Sequence, residues 1–270
     1  EPENAHYLTQ LLRRIRKHLK QRGEERGRPI GLLVRVDESL NACRLDGFDV
    51  PTWIKEHLVD MIALGSGARD IEVEEFKALT KGSDIRVYAC PYSSKPREVY
   101  LALATNYLSQ GADGIYTFNW GTHYSHVHTP LRYQHGMLGI LDDPALMHGE
   151  NKLFAADTGY PRFQYPHNWM HVVLPLTVTP ETPGNVTVMV GEDFSKGPAP
   201  HAIELTVTRS GRAAAELAIN ESIVSNVNET NNRITAGLQP SQLVRGHNRL
   251  RFSVATGEIT IRKVEIRVSY

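Results

Sequence analysis

The sequence predicts a mixed architecture: an α/β segment of four βα units forming part of a (β/α)8 barrel, followed by an all-β, antiparallel β-sandwich. Three observations predict it. Short apolar runs alternate with amphipathic stretches from Pro29 to Trp120, with strand starts about 28 residues apart, the pattern of a parallel sheet covered by helices. Beyond residue 158 the apolar period falls to two, and Pro, Gly, Asn and Ser punctuate the strands. With 270 residues, 41% of them hydrophobic and 22% charged, the chain has apolar material for about two cores.

The elements follow in order. From Ala5 to about Gly23, residues Tyr7, Leu8, Leu11, Leu12, Ile15 and Leu19 fall on one helical face, and the basic residues Arg13, Arg14, Arg16, Lys17 and Lys20 lie largely off it, as a solvated outer surface. Ile30–Val36 is the first strand, and a helix opens at Val50 with Pro51 in its first turn. Val59–Leu64, Ile85–Cys90 and Gly114–Trp120 are the next three strands, separated by helices over Val73–Leu79 and Glu98–Ser109. A complete barrel needs about 250 residues, so four units make half of one, and the first helix is then the one that precedes the fifth barrel strand. No Gly-rich phosphate turn follows the first strand, which leaves a nucleotide fold without a positive motif. A helix-like stretch covers Leu131–Asn151, giving a barrel part over 1–158 and a sandwich over 159–270. Sandwich strands are predicted at Val172–Val178, Val186–Val190, Ala202–Thr208, Ala214–Ile219, Leu250–Ala255 and Glu258–Val268.

Charge and composition exclude several classes. Thirty Lys plus Arg balance thirty Asp plus Glu, so no global field attracts nucleic acid. No apolar run approaches the roughly 20 residues that span a bilayer, so no membrane insertion is expected. Two cysteines, Cys43 and Cys90, are too few for a disulfide framework. No cofactor is predicted, and the compartment is undetermined, export being open if a signal segment lies upstream.

In parallel barrels the reactive groups sit at the carboxyl ends of the strands. The first strand ends Arg35-Val36-Asp37-Glu38, and alternation sends Arg35 and Asp37 to the barrel mouth and Val34 and Val36 toward the helices. Asp37, with Glu38 as its alternate, is the acid/base candidate, and Arg35 is a clamp for ligand or carboxylate; a bracing ion pair or a capping carboxylate accounts for the same residues without chemistry. Tyr88, Tyr92, Asn119 and Trp120, with His123 in the following loop, supply aromatic faces and polar groups suited to sugar rings. Glycoside hydrolysis uses two carboxylates about 5–9.5 Å apart, and only one predicted strand end carries any. The second then lies upstream, or the site only binds. His126 and His128 could chelate a metal from alternate positions of an extended segment with His123 nearby, but no Asp or Glu falls in a recognised metal spacing, so the loop is read as a surface or substrate-contacting one and no metal is expected.

The runs VRVDESLNACRLDGFDVPTWIKEHLVDMIALGSG, IRVYACPY, GADGIYTFNW and LGILDDPALMHGENKLF, over residues 5–155, resemble the second half of bacterial proteins related to the family-10-like glycosyl hydrolase TIM barrels. The tail is similar to the galactose-binding-like sandwich that follows such barrels. The resemblance implies a carbohydrate-active protein, a polysaccharide-directed glycoside hydrolase, with a non-catalytic glycan-binding module as the alternative. Pro91-Tyr92 stands at the third strand end, where retaining barrel hydrolases often carry an acidic nucleophile. A half barrel has open edge strands, so a homodimer through that edge is expected.

Overall fold

The first helix forms where the apolar spacing puts it: α1 spans Ala5–Glu25 and buries Leu12, with Leu8 and Ile15 packed beside it. The computed structural model describes residues 2–65, 70–91, 96–117, 136–156, 173–230 and 232–270. Part of the basic face of α1 is not simply solvated. Arg13 makes a two-pronged contact to Glu56, Nε to Oε2 and Nη2 to Oε1, each 2.7 Å, and Arg16 reaches Asp60 Oδ2 at 2.9 Å and Leu58 O at 3.0 Å. These guanidiniums fasten α1 to the segment that leads into the second strand.

Four short parallel strands follow in sequential order: β1 (Leu33–Val36), β2 (Met61–Leu64), β3 (Arg86–Ala89) and β4 (Gly114–Ile115). Between them lie α2 (Leu40–Asp46), α3 (Val50–Lys55), α4 (Val73–Thr80) and α5 (Arg97–Ser109). Ser39 starts α2 by accepting the Ala42 amide on Oγ at 3.1 Å, and Gly47, at φ +84°, ends it. Asp49 starts α3 by accepting the Thr52 amide at 3.2 Å. Two aspartates pin the amino ends of the strands: Asp60 Oδ2 accepts the Leu32 amide, and Asp113 Oδ2 accepts the Val87 amide and the Lys77 ammonium, each at 2.7 Å.

One face of this sheet, carrying Val36, Ile62, Leu64, Val87 and Ala89, forms a single core with Leu12, Cys43, Trp53, Phe76 and Val99, one residue from each of the five helices. The register places Arg35, Ala63, Tyr88 and Gly114 in one row on the opposite face. Arg35 and Arg86 are exposed there.

The second part is antiparallel. One sheet has the order β10 (Ser222–Ile223), β9 (Ala215–Ile219), β13 (Gly246–Val254), β7 (Gly184–Val190). The other runs β11 (Asn228–Glu229), β12 (Arg233–Leu238), β8 (Ala202–Ser210), β14 (Ile259–Ser269), β5 (Lys152–Ala155), with β6 (Leu176–Val178) also on β14. Alternating residues of both, among them Val188, Leu250 and Phe252 against Leu205, Val207 and Ile266, meet in one buried core. In β14 the alternation slips: Ile259 and Ile261 point inward, and so do Val264, Ile266 and Val268, because the register shifts between Ile261 and Lys263.

Two features depart from the sequence expectation. Residues 152–155 were expected within the first part, yet β5 pairs with β14, so the second sheet takes a strand from before position 158. Helix α5 does not have one buried side. Val99, Leu103 and Tyr107 pack on the parallel sheet, Tyr100, Leu101 and Ala104 on Met137 and Met147, and Ala102 on the sandwich core. A helix that is apolar nearly all round is buried nearly all round. Its Asn106 donates to Met189 O at 3.1 Å and accepts the Gly191 amide at 2.7 Å, and a Cβ on Gly191 would lie 2.6 Å from Thr105 O. The backbone therefore approaches α5 as only glycine allows.

Below α5, β5 brings Lys152 to full burial. Its Nζ donates to Met147 O at 2.6 Å and Glu150 O at 3.2 Å and pairs with Glu192 Oε2 at 2.8 Å, and the Tyr270 hydroxyl donates to Glu192 Oε1 at 3.1 Å. Removing one member leaves the other charge buried, a loss of about 3–5 kcal/mol. Urea denaturation of Lys152→Met is therefore expected to show a stability loss of that size, and a change below about 1 kcal/mol would contradict this role.

Candidate active site

The carboxyl end of β1 turns directly into α2, so Asp37, Glu38 and the Ser39 cap occupy three successive positions at one rim of the parallel sheet. All three are buried, Asp37 being 7% exposed and Glu38 3%. The backbone closes around them: the Gly65 amide donates to Val36 O and the Glu72 amide to Glu38 O, both at 2.9 Å. Gly65, at φ +115°, ends β2 where a Cβ would lie 2.9 Å from Ile71 Cδ1 and 3.2 Å from Cys90 O, so the rim has no room for a side chain there.

Asp37 is the unusual group. Burial pushes its carboxyl up from 3.8 to about 7, helped by the charge of Asp46, a side-chain hydrogen bond with Asp46 and the charge of Glu38, against a smaller opposing pull from Arg35. Its Oδ2 is buried and takes no hydrogen bond from any described residue. The group therefore retains its proton toward neutrality, where an exposed carboxyl has lost it, the condition a general acid needs.

Asp46 was not among the candidates read from sequence. It is the last residue of α2, and the helix carries it back beside the end of β1. A signal did exist: a carboxylate in the last helical turn faces the negative end of the helix dipole, an unfavourable place that calls for another reason.

Arg35 shares a row with Tyr88 through Ala63, and its guanidinium hydrogen-bonds the Cys90 side chain. Tyr88 is fixed from two sides. Its ring lies over Gly114, where a Cβ would meet Tyr88 Cε1 at 3.1 Å, and its side chain hydrogen-bonds Arg86. Burial pushes the Cys90 thiol up to about 11 despite Arg35, and pushes Cys43, whose Sγ lies 3.9 Å from Asp37 O, higher still. Both sulfurs are held as thiols, which removes thiolate nucleophile chemistry at neutral pH.

The structure thus brings Arg35, Asp37, Glu38 and Tyr88 to one region and adds Asp46 and Cys90 to it. Tyr92, Asn119, Trp120 and His123, and with them His126 and His128, lie outside the described residues. Among the described residues no cluster of three or more His, Cys, Asp or Glu forms a metal site, and no helix is long and apolar enough to cross a membrane.

No family model matches the chain, and no curated protein matches it. Among solved structures, a β-porphyranase of glycoside hydrolase family 86 from the human gut bacterium Bacteroides plebeius is similar at 13% identity and a TM-score of 0.29, over 44% of this chain. The matched part spans 20% of that enzyme's length.

A carboxyl whose folded pKa is raised favours folding at low pH and loses that contribution as the pH climbs from the unfolded value to the folded one. Stability is therefore expected to fall between pH 3.8 and about 7 through Asp37. Asp37→Asn removes that slope and is more stable than the parent above neutrality. Denaturation midpoints across the pH range check this; parallel curves for the two proteins would contradict it.

Proposed function

We propose that the chain is the site-bearing part of a carbohydrate-active protein that hydrolyses a glycosidic bond, with Asp37 as the proton-transferring group. The single observation that supports this most is the Asp37 carboxyl raised to about 7 at the carboxyl end of a parallel strand. Protonated, Asp37 gives its proton to the glycosidic oxygen as the C–O bond breaks, and the Arg35 charge steadies the carboxylate left behind. Asp46 is a positioning residue: it acts through Asp37 by keeping that proton affinity high. Tyr88 offers a ring on the same face for a sugar. Glu38 remains the alternate acid.

The sequential parallel order and the shared helical face support reading the four strands as an arc of a (β/α)8 barrel. In that reading the barrel part and the sandwich meet near residue 158, with β5 lent to the sandwich. This reading needs a second carboxylate about 5–9.5 Å across the mouth, supplied by a barrel strand other than these four. A homodimer would form through the edge at β1, which pairs only with β2 among the described residues.

One observation favours the non-catalytic glycan-binding alternative: β2 ends at Gly65 and β3 runs into Cys90-Pro91, so neither end carries a carboxylate. Release of reducing ends from a panel of neutral and anionic polysaccharides separates the two. Asp37→Asn is expected to lose about 10²–10⁴-fold in turnover, and Asp46→Asn to move the basic limb of the pH–rate profile to lower pH. Turnover unchanged in Asp37→Asn would overturn the assignment, and binding without hydrolysis by the parent would leave the binding module.

A further inference from the structure

The small residues of β2 leave a path across the open face of the parallel sheet, and Arg35 takes it. The ladder continues past the strand ends: the Gly65 amide donates to Val36 O at 2.9 Å and the Cys90 amide to Leu64 O at 2.7 Å, so Asp37, Gly65 and Cys90 form the row above Arg35, Ala63 and Tyr88. Arg35 stands on β1 and Cys90 at the end of β3, two strand spacings or about 10 Å apart. An Arg35 N–H nevertheless donates to the Cys90 sulfur. The side chain therefore crosses β2, over positions where Ala63 carries a methyl group and Gly65 only hydrogen, and Ala63 is fully covered.

The far end of the crossing is a neutral partner. Cys90 is 2% exposed, and burial raises its thiol to about 11, so it keeps its proton beside a guanidinium. A thiol accepts one N–H weakly and leaves the positive charge of Arg35 intact, whereas a carboxylate at the same position would neutralise it. That charge acts on Asp37, where it opposes burial, Asp46 and Glu38. The other titratable groups around the crossing are Glu38 at the end of β1, Cys43 and Asp46 on α2, and Tyr100 on α5, whose hydroxyl lies near Cys90. None of these can replace the cation.

We propose that Cys90 is a positioning residue whose thiol anchors the Arg35 guanidinium at the mouth, beside the Asp37 carboxyl. Arg35 is otherwise exposed, and a long exposed side chain released from such an anchor samples many rotamers in water. Anchored, the charge stays where a carboxylate forms as Asp37 releases its proton. The inference rests on the proton-transfer reading of Asp37 and names what fixes its cation. Cys90 acts only through Arg35 and touches no substrate.

The test titrates the aspartate carboxyls of the full chain by carbon-13 NMR, the Asp37 resonance being the one lost in Asp37→Asn. Cys90→Ala frees Arg35 to water and is expected to raise the proton affinity of Asp37 about threefold or more. Cys90→Val, close to the thiol in size and unable to accept a hydrogen bond, is expected to do the same, and Cys90→Ser to restore most of the parent value. Arg35→Gln gives a rise at least as large, and adding Cys90→Ala to it gives no further change. A midpoint unchanged or lowered in both Cys90→Ala and Cys90→Val would overturn the proposal, as would Cys90→Ser behaving like Cys90→Ala. So would a rise that persists in full on the Arg35→Gln background, since the thiol would then act without the guanidinium. On any polysaccharide the parent hydrolyses, Cys90→Ala is expected to lower kcat more than it changes KM and to move the basic limb of the pH–rate profile to higher pH, and a change in KM alone would also overturn the proposal. Midpoints that move as expected in a chain that hydrolyses nothing would sustain the anchor while removing the function proposed for Asp37.

Discussion

Keeping one buried carboxyl group's proton affinity raised toward neutrality is the constraint around which the rim of the parallel sheet is organised. Asp37 is buried, it faces Asp46 and lies near Glu38, and Arg35 offsets only part of the resulting cost. Each feature works against an ionised carboxylate, so the folded state retains a proton that the unfolded chain would release. An amide of the same shape would carry no such penalty, and a site that sacrifices stability for a proton near neutrality is the pattern expected of proton-transfer chemistry.

The scaffold makes this arrangement possible through the division of the sheet into two faces. Val36, Ile62, Leu64, Val87 and Ala89 anchor helices α1 to α5 on one side, which leaves Arg35, Tyr88 and Arg86 on the other free of that core. The aspartates at positions 60 and 113 fix the opposite ends of the strands, so the register that sets Arg35 beside Tyr88 is held from below. Helix α5 then joins this unit to the sandwich. Asn106, through Met189 O and the Gly191 amide, and the ion pair of Arg267 with Glu98 tie the two parts together.

Much of this was legible in the sequence, for physical reasons that differ by element. The strands β1, β2 and β3 and the helices α1, α4 and α5 are visible because hydrophobic spacing changes period between them, and alternation alone puts Arg35 and Asp37 on one side of β1. Helix α2 was not visible. Its seven residues are too few to show a period, and it is specified instead by the Ser39 cap and Gly47. Missing α2 meant missing Asp46, whose proximity to Asp37 exists only once that helix folds back. The strand β12 was lost because Arg233–Leu238 includes Ala236 and Gly237, which dilute the alternation, and β5 because four residues after a helix-like stretch carry little signal. The bulge in β14 was written in the adjacent polar pair Arg262-Lys263, which interrupts strict alternation.

The account stands or falls on the protonation state of one side chain. Infrared difference spectroscopy between the parent and Asp37→Asn measures it directly, through the carbonyl stretch that only a protonated carboxyl shows. The band is expected at about pH 6 and should be gone by about pH 9, its midpoint falling with Asp46→Asn. A parent protein whose spectrum shows no protonated carboxyl at Asp37 above about pH 5 would contradict the central claim.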